Sequence, residues 1–322
     1  MKRGARAASF ACVFWVAGCA TPGPQLGWPA QIDPAMVELE ATPFFPQRDY
    51  QCGPAALATV LTASGVAVTP DELVAAVYLP ARRGSLQSEI VAATRARGRL
   101  PYLLPPQETA LLAELSAGHP VLVLQKLGAG PWPGWHYAVL VGYDRARETV
   151  LLRSGTDRRL EMSARRFLWT WDRAGRWAML ALAPGEMPAL ADISRYLDAS
   201  AALEAVGRLE DAALSYAAAA RRWPDAALPW LGLGNLAYAR DDLLTAKRLY
   251  GEALTRDPED VAARNNRAET LLRLGCVSAA TREIEQARAS ARGGALEVAV
   301  EETARRIAAA ATTDATDCPV AE

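Results

Sequence analysis

A cysteine and a histidine carry the chemistry this chain advertises. Cys52 stands in Gln47-Arg48-Asp49-Tyr50-Gln51-Cys52-Gly53-Pro54-Ala55-Ala56-Leu57, where a polar run gives way to an apolar one. Pro54 suits the first turn of a helix, because its missing N–H would be unpaired there anyway. Ala55 to Ala63 then read as helix. Cys52 is thereby expected at the positive end of a helix dipole, which favours thiolate, as would a nearby imidazolium. The chain has only two histidines, so a partner is quickly sought. His136 follows a Pro/Gly/Trp loop containing Trp132 and Trp135 and opens the apolar run Tyr137 to Tyr143. A thiol at a helix start and an imidazole at the mouth of a strand form the minimal apparatus for nucleophilic acyl transfer. The bland readings are a small buried cysteine and a core-edge histidine. His119, before Pro120 and the run Val121 to Leu124, reads as structural.

Gln47, Cys52-Gly53-Pro54-Ala55, the Gly118–Leu124 run, Trp135-His136-Tyr137 and Val141-Gly142-Tyr143 together resemble the papain-like cysteine peptidases of the double-glycine (bacteriocin-leader) peptidase type. The resemblance covers about residues 41–183. It implies Cys52 as nucleophile, His136 as base, and a Gln47 amide that holds the oxyanion together with the Cys52 N–H. Two positions depart from that pattern. Gln47 precedes the cysteine by five residues, where the family's glutamine stands six before. The third catalytic position, an acid or amide in the family, falls on Ser154, with Asp157 three residues on and Asp144 a further option. A serine hydroxyl can fix the imidazole tautomer but offers no charge. No cofactor and no metal are implied. Leader peptides, the family's substrates, are not expected here, and an envelope protein or peptide is. Two other readings stay open: an inactive peptidase fold acting as a scaffold, and thiol-dependent acyl transfer.

The N-terminus addresses the location. Met1 to Arg6 is basic, Ala7 to Val16 is a short apolar run, and Ala17-Gly18-Cys19 follows. This is the build of a secretory signal, too short to span a bilayer. The cysteine after Ala17-Gly18 resembles a bacterial lipobox. That implies cleavage before Cys19, its lipidation, and an envelope lipoprotein sorted to the outer membrane and facing the periplasm. Several acyl chains anchor stably where one does not. Residues 19–40, with Pro22, Pro24, Pro29 and Pro34, read as a tether. A net charge of −1 with 22% charged residues argues against nucleic acid as a partner. Cys52, Cys276 and Cys318 remain in the body of the chain, and a 276–318 bridge is one option for the last two.

The elements that must position the pair follow from periodicity. Helices are predicted from Cys52 to about Ala63, over 70–77, near 86–97, over 108–117 and near 164–171. Strands are predicted at 120–126, 136–143, 148–153, 158–162 and 176–182. Pro184 to Pro188 reads as a linker. Beyond it Trp223-Pro224-Asp225 recurs as Asp257-Pro258-Glu259 at a period of about 34 residues, and Ala212, Ala246 and Ala280 keep the same spacing. This resembles tetratricopeptide (TPR) repeats. The expected architecture is an α+β papain-like cysteine peptidase domain over 41–185, then an all-α domain of about three TPR units over 192–292, then a capping helix and tail over 293–322. Asn235, Asn265, Asn266 and Arg267 are candidate contacts for a protein partner in the repeat groove, against the alternative of a solvated helix face. The partners expected are thus a protein or peptide substrate, a protein in that groove, and the membrane through the lipid.

Overall fold

The computed structural model describes residues 34–47, 51–128, 134–311 and 318. The signal segment, Cys19, most of the tether, Trp132 and nearly all of the tail lie outside the described residues.

The first half is an antiparallel sheet with helices on both faces. β2 (Leu100–Leu103), β3 (Val121–Leu127), β4 (Gly134–Asp144), β5 (Thr149–Ser154), β6 (Asp157–Ser163) and β7 (Ala178–Leu182) take the order β2-β7-β3-β4-β5-β6. β1 (Met36–Glu38) pairs with β4 at Glu38↔Gly142, just beyond Leu140, where the pairing of β4 with the start of β3 stops. The sheet therefore begins inside the segment read as tether. At this crossing Gly142 has no alternative, since a Cβ there would lie 2.3 Å from the Val37 carbonyl.

Alternation along the strands sorts side chains to two faces. Val139, Val141 and Leu151 join Leu57, Val60 and Leu61 of α1 (Cys52–Ala63), together with residues of α2 (Pro70–Val77) and α3 (Gln87–Ala96). Thr69 and Glu72 close a capping box at the start of α2. Ala138, Leu140, Val150 and Leu152 face the other way, toward α4 (Glu108–Ser116) and α5 (Ala164–Asp172). Phe167 and Trp171 of α5 are fully buried there.

The second half is helical: α6 (Ile193–Ala205), α7 (Leu209–Arg222), α8 (Leu228–Ala239), α9 (Leu243–Arg256), α10 (Val261–Arg273), α11 (Val277–Ala291) and α12 (Glu297–Ala311). Gly207, Asp241 and Gly275 turn these pairs with positive φ of 77°, 63° and 77°. Gly232 and Gly234 let the rings of Tyr216 and Tyr250 lie against the α8 backbone, where a Cβ would come within 2.7 Å and 2.5 Å of ring carbons. Cys276 and Cys318 form a disulfide with Cα atoms 4.7 Å apart.

The segment read as a linker is held in place rather than loose. His119 Nδ1 lies 2.7 Å from Glu114 and its Nε2 lies 3.2 Å from Glu186. The Tyr196 hydroxyl donates to the Glu186 carbonyl at 3.0 Å. Tyr196, Leu203 and Tyr216 continue the cluster that holds Leu100, Tyr102 and Leu112.

Candidate active site

Cys52 opens α1 and is 9% exposed. The helix has no side-chain cap at Gln51, so its first N–H groups are free to act locally. The Gly53 and Cys52 N–H groups, together with that of Tyr137 from β4, draw the thiol's pKa down. Burial outweighs them and pushes the Cys52 thiol up. The expected bias toward thiolate is thus not met at rest, because desolvation disfavours the charged form more than the helix end favours it. The same three N–H groups stand ready for the anion once it forms. Gly53 is required on packing grounds, since a Cβ there would meet Ser85 Oγ at 2.2 Å.

His136 sits near the start of β4, one residue before the N–H that reaches the sulfur. Its Nε2 is 2.8 Å from Ser154 Oγ at the end of β5. Burial is the one cause moving its pKa, and it moves it down. A carboxylate against the ring would have pulled the other way. Burial therefore works against the charged form of both groups. Among the described residues the ring's hydrogen-bond partner is Ser154, and no hydrogen bond joins it directly to the sulfur.

Of the two candidates for the third position, Ser154 contacts the imidazole, while Asp157 stands exposed on the neighbouring strand. Asp157 opens β6 in an exposed position, opposite Ser154 across the tight turn at Gly155. Asp144 lies at the far end of β4, where its carboxylate accepts from the Arg147 N–H. Gln47 lines a cleft with Cys52, Phe44, Phe45, Tyr137 and Ser154, and its own N–H donates to the Gly155 carbonyl at 3.1 Å. The cleft holds about 10 Å³, room for roughly one water. It is a narrow slot rather than an open groove.

Sequence reasoning missed Arg153. Its buried guanidinium donates to the carbonyls of Arg158 at 2.7 Å and of Leu39, Glu40 and Thr42 at 3.4 Å each. It thereby holds the segment that carries Phe44, Phe45 and Gln47 across the cleft. The signal was there to read: an arginine interrupting the apolar run Val150 to Leu152. Trp135 is 57% exposed beside Lys126 and lies outside the cleft lining. The repeat residues Asn235, Asn265 and Asn266 line a separate cavity, while Arg267 pairs with Glu283 at 2.9 Å.

Comparison with known proteins follows this division of the chain. Residues 39–179 match the family described as Peptidase_C39 like. A putative C39-like peptidase from Bacillus anthracis is 19% identical, with 45% of this chain and 96% of that chain covered and a TM-score of 0.37. The TPR2B domain of yeast Sti1, solved as a complex with pHsp70, is 13% identical over 36% of this chain and 96% of that chain, at a TM-score of 0.35. The type III secretion chaperone SycD of Yersinia enterocolitica, in complex with a peptide of the translocator YopD, is 19% identical over 36% and 92%, at 0.34. The search of curated proteins found no match. Residues 39–179 thus match a C39-like peptidase family model, and seven helices follow them among the described residues.

Proposed function

We propose that the protein is a cysteine peptidase of the cell envelope, with Cys52 as nucleophile and His136 as general base. The reading rests on one cleft, where Cys52, Gln47 and Ser154 meet while Ser154 holds the His136 ring. An Nε2–H donated to Ser154 Oγ leaves the lone pair on Nδ1. In the first step Nδ1 takes the Sγ proton as Sγ bonds to the scissile carbonyl carbon. The oxyanion is received by the Gln47 side-chain amide and the Cys52 N–H. Collapse expels the amine, which carries off the proton from His136, and leaves a thioester. Water attacks the thioester, giving its proton to His136, and the thiol is regenerated as the acid departs. Because burial disfavours both charged forms, proton transfer accompanies attack rather than preceding it.

The N-terminal lipobox-like segment supports a lipid anchor at Cys19 facing the periplasm, and the repeats support a groove for a protein partner. A silent scaffold is the second reading. It is favoured by the narrow cleft and by a serine where the family carries an acid or amide.

One experiment separates these. Fractionated envelopes are compared by mass spectrometry from cells carrying wild type, Cys52→Ala, His136→Ala and Cys19→Ser. Both site variants should accumulate the same uncut protein, and Cys19→Ser should leave the membrane fraction. Unchanged cleavage in both site variants would sink the peptidase reading and leave the scaffold. A Cys19→Ser protein still in the membrane would sink the anchor. A product that gains an added amine would mark acyl transfer instead.

A further inference from the structure

On the repeats, α6, α8, α9, α10 and α12 enclose a second cavity of about 300 Å³. Its donors are largely spent internally. The Tyr250 hydroxyl and Asn266 Nδ2 both donate to Asn235 Oδ1 at 3.0 Å. The Tyr238 hydroxyl donates to Glu269 Oε1 at 3.4 Å, and the Tyr216 hydroxyl to Glu204 Oε2 at 3.1 Å. Two carboxylates, Glu204 and Glu269, thus share the cavity wall with a single cation, Arg306 of α12. Of the nearby cations, Arg273 pairs with Asp241 and lies over the Tyr238 ring, and Arg264 and Arg267 pair with Glu283. Glu269 Oε2 and Asn265 Oδ1 are buried acceptors with no partner. A buried acceptor without a donor costs free energy, and a desolvated carboxylate costs more.

The chain already displays the chemistry that meets this need. Arg306 Nη1 reaches Glu269 Oε1 at 2.7 Å from a side chain that is itself half exposed. With Asn235 Oδ1 facing inward to two donors, its amide N–H groups remain for a carbonyl. We propose that this cavity binds a peptide segment of a partner through a lysine or arginine side chain. The cation is received by Glu204 and Glu269, and a backbone carbonyl by Asn235. Arg306 is the internal occupant that the partner's cation displaces or accompanies. This rests on the partner-groove reading above and adds the charge of the ligand to it.

The test uses the full chain and two dye-labelled, end-blocked glycine–serine peptides, one with a central lysine and one with norleucine in its place. Fluorescence anisotropy should give at least tenfold tighter binding of the lysine peptide, weakened by salt. Glu269→Gln and Glu204→Gln should each shrink that ratio severalfold. Arg306→Gln should tighten the lysine peptide severalfold by removing the internal competitor. Circular dichroism of each variant should match the parent. Equal binding of both peptides, lost in Asn235→Ala, would overturn the cation preference while leaving a partner groove. Binding of neither peptide at millimolar concentration, even to Arg306→Gln, would overturn both.

Discussion

At the scale of residues, burial sets the chemistry of the candidate pair. Burial raises the thiol of Cys52 and lowers the imidazole of His136, so each shift opposes the ion pair. For His136 the sign follows directly. Its folded pKa lies below the ordinary 6.5, so the neutral ring is favoured, and stability falls as pH drops from 6.5 toward that lower value. The acid limb of activity should accordingly have its midpoint below 6.5. Alkylation of Cys52 should climb with pH into the alkaline range, with no plateau between pH 5 and 7 of the kind a resting thiolate gives. Ser154 meets the imidazole through one hydrogen bond at 2.8 Å. Removing it in Ser154→Ala forfeits about 1 kcal/mol, or roughly a fivefold loss in kcat with KM little changed. Ser154→Asp adds a charge that stabilises the imidazolium, and should raise the midpoint of the acid limb. Kinetics of the three proteins across pH check this. An acid limb that stays put in Ser154→Asp would remove Ser154 from the site.

At the scale of elements, His119 does the opposite of His136. Glu114, fully buried, and Glu186 hold its imidazolium, raising its pKa to about 9. The folded value exceeds the unfolded one, so the contribution is complete below pH 6.5 and lost as pH rises through 9. Solvent at Glu186, whose side chain is 38% exposed, screens part of the clamp and leaves about 1–2 kcal/mol. Denaturant titrations of wild type and His119→Gln at pH 7 and pH 10 should show a gap of this order that closes at the higher pH. A gap unchanged at pH 10 would rule out the charge as its source. Much of the architecture around this clamp was legible. The strands from β3 onward and all five helices of the first half follow from period and turn residues, because each buries a face on its own. β2 was not legible, since Pro101 reads as a breaker and is tolerated only because β2 is an edge strand. β1 was hidden by its three-residue length and by prolines upstream. In the candidate site, Cys52 and His136 stood out by local pattern, while Gln47 and Ser154 were reached only through the family resemblance. Arg153 and the Phe44–Phe45 wall were not legible, because they depend on how residues 39–47 cross the sheet.

At the scale of the whole molecule, the two halves share a core. Interfaces between domains of one chain are usually modest and polar, and domains on such interfaces move independently. Here Tyr196, Leu203, Ala212, Tyr216 and Leu236 of the repeats belong to the same buried cluster as Leu100, Tyr102, Leu112, Phe167 and Trp171 of the peptidase half. The His119–Glu186 contact and the Tyr196 hydroxyl tie down the intervening segment. The first helical pair thus packs on the sheet as a further layer. Such a join makes unfolding of α6 and of the sheet one event. Leu203→Ala tests it, because Leu203 is fully buried on the repeat side of the join and its truncation should cost about 2–5 kcal/mol. Hydrogen exchange read by mass spectrometry should show peptides from β3 and from α7 losing protection together and by similar factors. Loss confined to α6 and α7, with β3 as protected as before, would mean that the cluster is contiguous in contact but divided in energy.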